Sequence, residues 1–186
     1  MATRHLRIHG DNIIECERSL SLLSKSLNVI PKYIETSPTY MPMYMLGSIQ
    51  VDLLSGHGRW GVDISEALAK NGGILREGAD SYITEITDDH ETIIFALEYC
   101  SALPAGNNAW QRNGRAYASA LANVPYLYMA EIGGVELDDN RQKKAPRFPN
   151  PVVPFSYLML SKRLQSFCLP EYMAHPSITD SLYKKY

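Results

Sequence analysis

The most constraining feature of the sequence is an apolar segment that ends on an acidic residue. Residues 92–99 are apolar on both faces, as in a central strand covered by helices, yet Glu98 lies at the end of this run. The segment before it starts with Asp80, alternates over 82–87 and turns at 88–90. We therefore predict a β-hairpin whose first strand begins at one carboxylate and whose second strand ends at another.

The remaining segments predict an α/β fold. Apolar residues recur at helical spacing over 13–27, 64–70, 107–122 and 155–167, and strands are predicted at 48–54 and 126–132. We expect irregular connections over 31–42 and 136–154 and an irregular tail from Leu169.

Several polar side chains have ordinary structural roles in this reading. Asp11 or Asn12 is suited to capping the first helix, and Asp63 is suited to capping the second. Asp52 is expected in solvent because it lies opposite the apolar face of its strand. None of these four residues needs a catalytic role to explain its position.

Composition limits the class of protein. The 186 residues suit a single domain, 1–186, either complete or part of a longer chain. No apolar run is long enough to span a bilayer, and the N-terminus lacks a secretion signal, so no membrane partner is expected. Three cysteines, an odd number without metal-pair spacing, favour a reduced cytoplasmic location.

The charged residues are unevenly distributed along the chain. Residues 1–103 hold 8 Lys/Arg and 14 Asp/Glu, whereas residues 104–186 hold 10 Lys/Arg and 6 Asp/Glu.

The order helix, strand, hairpin, helix, strand resembles the αβββαβ core of the PD-(D/E)XK nuclease superfamily, the fold of most restriction endonucleases. In that family an Asp begins the second core strand and an acidic residue closes the third, as Asp80 does after Gly78-Ala79 and Glu98 does after Leu97. The resemblance implies an α/β fold with a central mixed sheet flanked by helices.

The resemblance also implies a function. A Type II restriction endonuclease, or the catalytic domain of one, hydrolyses double-stranded DNA with Mg²⁺ (Mn²⁺ can substitute), and Asp80 and Glu98 would be the metal ligands. An acid on the first helix is a frequent further member. Glu17 is expected to lie nearer the buried stripe than Glu15, although either could serve. A two-fold homodimer is the expectation for cutting both strands.

One position departs from the family pattern. Cys100 stands where the family has a Lys, and no Lys occurs between Lys70 and Lys143. Residues on the following helix could replace it: Arg115 with Gln111 or Arg112 is expected to face the phosphate. The basic run after 140 could contact the DNA backbone, and with Arg112 the candidate contacts are Lys143, Lys144 and Arg147.

Two other classes of function remain open. A non-catalytic DNA-binding or partner subunit on the same fold would pair Glu98 with Arg115 as a buried ion pair. A cysteine hydrolase would use Cys100 with His90 or His57, although a single Cys at a strand end more often packs as a small apolar residue. The five histidines have no zinc-site spacing.

Overall fold

The computed structural model describes residues 4–56, 64–73, 78–88, 90–100, 107–132, 139–142 and 152–174, with the backbone alone at 65, 107–111, 131–132 and 172–174. In chain order the elements are β1 (Arg4–Gly10), α1 (Ile13–Leu27), β2 (Lys32–Thr36), β3 (Pro42–Leu46), β4 (Ile49–Ser55), α2 (Ile64–Lys70), β5 (Ser81–Thr87), β6 (His90–Cys100), α3 (Asn107–Leu121), β7 (Tyr126–Ile132), α4 (Val152–Leu164) and β8 (Cys168–Ala174). No helix among these is long and apolar enough to cross a membrane.

The described strands form one mixed sheet in the order β2-β3-β4-β1-β5-β6-β7-β8. Strand β1 runs parallel to β4 and antiparallel to β5, the β5–β6 hairpin is antiparallel, and β7 and β8 continue parallel to β6. Helix α1 packs on one face over β1 and β4, whereas α3 packs against α4 and β7 on the other. The predicted α/β class, with a mixed central sheet flanked by helices, is confirmed.

Most of the predicted elements are present. Helices α1, α2 and α3, the β5–β6 hairpin, and strands β4 and β7 lie where periodicity indicated. The expectation of an irregular connection over 31–42 was wrong at β2, and the expectation of an irregular tail was wrong at β8. Strand β3 was not predicted. The last helix begins at Val152 and ends at Leu164, about three residues before the predicted bounds.

Strand β1 was not predicted, and it changes the sheet. It lies between β4 and β5, so the strand predicted at 48–54 does not pair with the hairpin. Leu6 and Ile8 of β1 are buried against α1, while the alternate residues His5, Arg7 and His9 face the opposite side. The polar face of β1 is occupied by ion pairs with neighbouring strands, and this is why its polar residues did not indicate a strand.

Those ion pairs correct the expectation for Asp52. Its side chain is only 3% exposed, because Oδ2 contacts His5 Nε2 at 2.6 Å and Oδ1 accepts from Gln50 at 3.0 Å. Beside it, Glu91 accepts from Arg7 at 2.7 Å. Asp52 does lie opposite the apolar face of β4, as predicted, but neighbouring strands supply partners there instead of solvent.

The start of α1 is fixed by a side-chain cap and a close approach. Asn12 accepts hydrogen bonds from the amides of Ile14 at 2.9 Å and Glu15 at 3.2 Å, which confirms it as the N-cap. A Cβ at Gly10 would lie 2.8 Å from Cys16 Sγ, so the chain can turn from β1 into α1 only with glycine there. The first turn of α1 is thereby positioned at the same end of the sheet as Asp80.

Loss of the cap should destabilise the protein. Asn12→Ala leaves two amides without their acceptor and should lower the free energy of unfolding by about 0.5–2 kcal/mol in urea denaturation. Asn12→Asp retains an acceptor oxygen and is the matched control, which should unfold close to the wild type. Equal stability of the alanine and aspartate variants would contradict this role of Asn12.

Candidate functional site at the end of the central hairpin

Asp80 and Glu98 lie side by side where the hairpin strands meet the end of the sheet. Asp80 precedes the first residue of β5, and the pairing of Ser81 with Leu97 places it next to Glu98 on β6. The Glu98 side chain is fully buried and that of Asp80 is 18% exposed. Two adjacent acids with so little solvent require cationic or hydrogen-bonding partners.

Helix α3 supplies the cations. Arg115 Nη1 donates to Glu98 Oε1 at 2.6 Å and to Asp80 Oδ1 at 3.1 Å, so one guanidinium bridges both acids. Arg112 Nε lies 3.1 Å from the same Glu98 oxygen as an ion pair. The two arginines are three positions apart and therefore project from one face of the helix.

Backbone amides bind the remaining carboxylate oxygens. The Tyr99 amide donates to Asp80 Oδ2 at 2.9 Å, and the Asp80 amide donates to Glu98 Oε2 at 3.3 Å. The Asp80 carbonyl accepts from the Asp11 amide at 3.0 Å, which ties this position to the loop between β1 and α1. All four oxygens of the pair thus have a donor, and the geometry of the acids is fixed by main-chain contacts.

Burial and like charge shift the protonation of this pair. Burial raises the pKa of Glu98 to about 7, the charge of Asp80 acts in the same direction, and Arg115 and Arg112 oppose it. Burial lowers the pKa of Arg115, but its hydrogen bond and charge interaction with Glu98 outweigh this effect and raise it. Arg115 is therefore a permanent cation beside an acid that titrates near neutrality.

A third acid approaches from α1, and it is Glu15, not Glu17. The expectation that Glu17 lies inward was wrong: Glu17 is exposed, whereas Glu15 is half-buried. Burial raises the pKa of Glu15, Arg18 lowers it and the charge of Asp80 raises it, which places Glu15 in the field of the pair. The reason is that Cys16, Ser19 and Leu20 form the buried face of α1, while Ile13 is exposed.

Arg18 connects Glu15 to the hairpin. Its Nη1 donates to Glu15 Oε1 at 2.6 Å, and its guanidinium lies 4.0 Å from the centroid of the Tyr99 ring. The Glu15 and Arg18 pairing at i,i+3 is a sequence signal that could have identified Arg18. The Tyr99 and Asp80 amides carry no such signal, because main-chain donors are present at every non-proline residue.

The site rests on a layer of buried tyrosines. Tyr157 of α4 stacks on Tyr126 at 6.0 Å and on Tyr128 at 5.7 Å between ring centroids, and all three rings are fully buried. Tyr126 and Tyr128 therefore pack against α4, consistent with the usual behaviour of aromatic residues on strands, and are not exposed for stacking on bases.

The donor chemistry suits a hard divalent cation. Asp80 and Glu98 offer carboxylate oxygens from adjacent strands, which is the ligand type that Mg²⁺ and Mn²⁺ bind. Within the described ranges, no group of three or more His, Cys, Asp or Glu side chains is arranged to hold a metal ion. A cation here would depend on two protein carboxylates and on water or substrate oxygens, as Mg²⁺ commonly does. It would also need the oxygens that Arg115 contacts.

The structure does not describe the side chains of several residues that the sequence suggested for functional or capping roles. Lys143, Lys144 and Arg147 lie outside the described residues, as do Asp63 and His57, and Gln111 is described by its backbone in α3 alone.

The cysteine-hydrolase alternative with His90 is wrong. His90 begins β6 and Cys100 ends it, so the two residues are separated by the length of the strand, about 30 Å. Cys100 is also buried at 3% exposure, as expected for a small apolar residue in the core.

The shifted pKa of Glu98 predicts a pH dependence of stability. The folded-state pKa of about 7 lies above the ordinary 4.5, so between these values the native protein binds a proton that the unfolded chain has lost. Stability from this group is full below pH 4.5, falls as pH rises, and is lost above about pH 7. Glu98→Gln should remove this slope, which is at most about 1.4 kcal/mol per pH unit.

Denaturation of the wild type and Glu98→Gln from pH 4.5 to 8 would measure the slope. Glu85→Gln, in the same hairpin but paired with Arg4 at its other end, is the matched control and should keep the wild-type slope. Parallel pH profiles for the wild type and Glu98→Gln would show that Glu98 titrates at its ordinary pKa.

Comparison with protein-family models, with curated proteins and with solved structures finds no match. Function must therefore be inferred from the residues that the fold brings together. The groups available for that inference are the acids Asp80, Glu98 and Glu15 and the cations Arg112 and Arg115, gathered at one end of the sheet.

Proposed function

We propose that this protein is a metal-dependent endonuclease that hydrolyses phosphodiester bonds of double-stranded DNA. The observation that supports it is that Asp80 and Glu98 share one cationic nitrogen, at 3.1 and 2.6 Å, and so lie close enough to share one cation. Both acids project from the ends of adjacent strands in a mixed sheet, consistent with the PD-(D/E)XK pattern. The more specific proposal is a Type II restriction endonuclease or its catalytic domain.

Each residue has a defined part in this proposal. Asp80 and Glu98 would hold Mg²⁺ or Mn²⁺, which supplies water activation and charge stabilisation when bound. The Tyr99 amide keeps Asp80 oriented, and Glu15 adds negative charge from α1. Arg115 and Arg112 are the cations that pair with these acids among the described residues, and they would stabilise charge on the phosphate, in place of the family's Lys.

Arg115 and Glu98 would have different chemical tasks in hydrolysis. Arg115 keeps its proton at any working pH, so it can bind a phosphate oxygen but cannot accept a proton from water. Glu98 titrates near neutrality, and its ionised form is the one able to bind a cation.

The proposal also includes contacts to the DNA backbone and a dimer. Lys143, Lys144 and Arg147 would contact the backbone, and a two-fold homodimer would cut both strands.

A second candidate is a non-catalytic DNA-binding or partner subunit on the same fold. The observation that favours it is the same bridge: Arg115 already neutralises Asp80 and Glu98, as a purely structural ion pair would. Such a module would bind DNA without needing a divalent cation. The two candidates therefore differ in their response to chelation.

Removal of either carboxylate charge should abolish cleavage. Asp80→Asn and Glu98→Gln keep side-chain size but remove a metal ligand, so nicking of plasmid DNA in Mg²⁺ should fall by about a hundredfold or more. DNA binding, measured by fluorescence anisotropy in Ca²⁺, should change little because phosphate contacts dominate affinity. Glu85→Gln is the matched control and should cleave like the wild type.

Full cleavage by either site variant would remove the assignment of Asp80 and Glu98. A wild-type protein that cleaves no DNA in Mg²⁺ or Mn²⁺, yet binds DNA equally well in chelator, would establish the second candidate instead.

A further inference from the structure

Arg115 occupies the oxygens that a cation would need. Its Nη1 contacts Asp80 Oδ1 and Glu98 Oε1, while the other oxygen of each acid is held by a backbone amide. A cation bridging the two acids would therefore take the oxygens that face each other across Nη1. Each oxygen has a second lone pair, but a cation at bonding distance from both oxygens would lie in the space that Nη1 fills, so the guanidinium has to move for the cation to bind.

The charges around Asp80 and Glu98 also favour displacement of Arg115 when a cation binds. Asp80 and Glu98 carry two negative charges when ionised, and Arg112 and Arg115 carry two positive charges. The four groups are neutral together, and Glu15 and Arg18 beside them form a second neutral pair, so a divalent cation added beside both arginines would create uncompensated positive charge in a largely buried site. Withdrawal of Arg115 from the carboxylates reduces that repulsion.

The position of Arg115 allows its guanidinium to withdraw from the two carboxylates. Its side chain is 29% exposed, compared with 17% for Arg112 and 0% for Glu98. Its guanidinium can thus reach solvent from α3 without unfolding the helix, whereas Glu98 remains buried on the central strand. Of the two groups, the arginine is therefore the one able to withdraw from the other.

We propose that Arg115 and a divalent cation compete for the same oxygens of Asp80 and Glu98, so that cation binding and release of Arg115 are one coupled exchange. The inference rests on the proposed function, because it assumes that the two acids are metal ligands. It adds that metal affinity is set partly by an internal competitor. Released Arg115 is then available to an anionic ligand, which for a nuclease is the phosphate.

Metal affinity in the absence of DNA tests the exchange. Mn²⁺ titrations at pH 8, followed by the electron paramagnetic resonance signal of free Mn²⁺, should give a lower dissociation constant for Arg115→Gln than for the wild type, by about tenfold or more. Arg4→Gln removes another arginine that bonds a carboxylate, Glu85, at the other end of β5. It is the matched control and should bind Mn²⁺ as the wild type does.

The wild-type protein gives a second readout that does not depend on Arg115→Gln. The guanidinium N–H resonances of Arg115, assigned in ¹⁵N-labelled protein by their loss in Arg115→Lys, should exchange faster with solvent as Mg²⁺ is added. Those of Arg4 should not change. Faster exchange of Arg115 would support the competition even if Arg115→Gln failed to fold.

The outcomes separate the inference from the function on which it rests. Equal Mn²⁺ affinities in the wild type and Arg115→Gln, together with unchanged Arg115 resonances, would overturn the competition while leaving the metal site intact. Site binding that Asp80→Asn does not weaken, or no binding in any variant, would overturn both the competition and the proposed metal centre.

Discussion

One guanidinium holds together the two acids on which the site depends. Glu98 is fully buried and the Asp80 side chain is 18% exposed, and two ionised carboxylates side by side in such a place would repel each other strongly. Arg115 offsets that repulsion by bonding both, and amides of the hairpin fix the remaining oxygens. The fold can therefore keep two adjacent acids at the end of its central strands.

The surrounding elements keep this pair in place. The Asp11 amide bonds the Asp80 carbonyl, and buried Ser19 contacts Ser81 Oγ at 2.6 Å, so α1 is attached to the start of β5. Stacked tyrosines join β7 to α4 on the side of α3. These contacts attach the surrounding helices to the strands that carry and flank the two acids.

The sequence predicts regular elements better than it predicts partners. Helical and alternating spacing located α1, α3 and the hairpin, and the apolar run ending at Glu98 indicated that its charge would be buried. Strand β1 was not recognised because His5, Arg7 and His9 look solvent-exposed until β4 supplies Asp52 and β6 supplies Glu91. Likewise, Glu17 appeared to lie inward because the apolar stripe was taken to include Ile13, which is exposed. Both misreadings concern contacts between elements distant in sequence, which local periodicity does not encode.

The most direct test of the central claim, that Asp80 and Glu98 bind a divalent cation for phosphodiester hydrolysis, is anomalous diffraction from crystals soaked in Mn²⁺. We expect one strong peak within bonding distance of both carboxylates, with the Arg115 guanidinium displaced from them. Crystals that show no peak there, with Arg115 still bridging the two acids at high Mn²⁺, would contradict the claim and identify the pair as a structural ion pair.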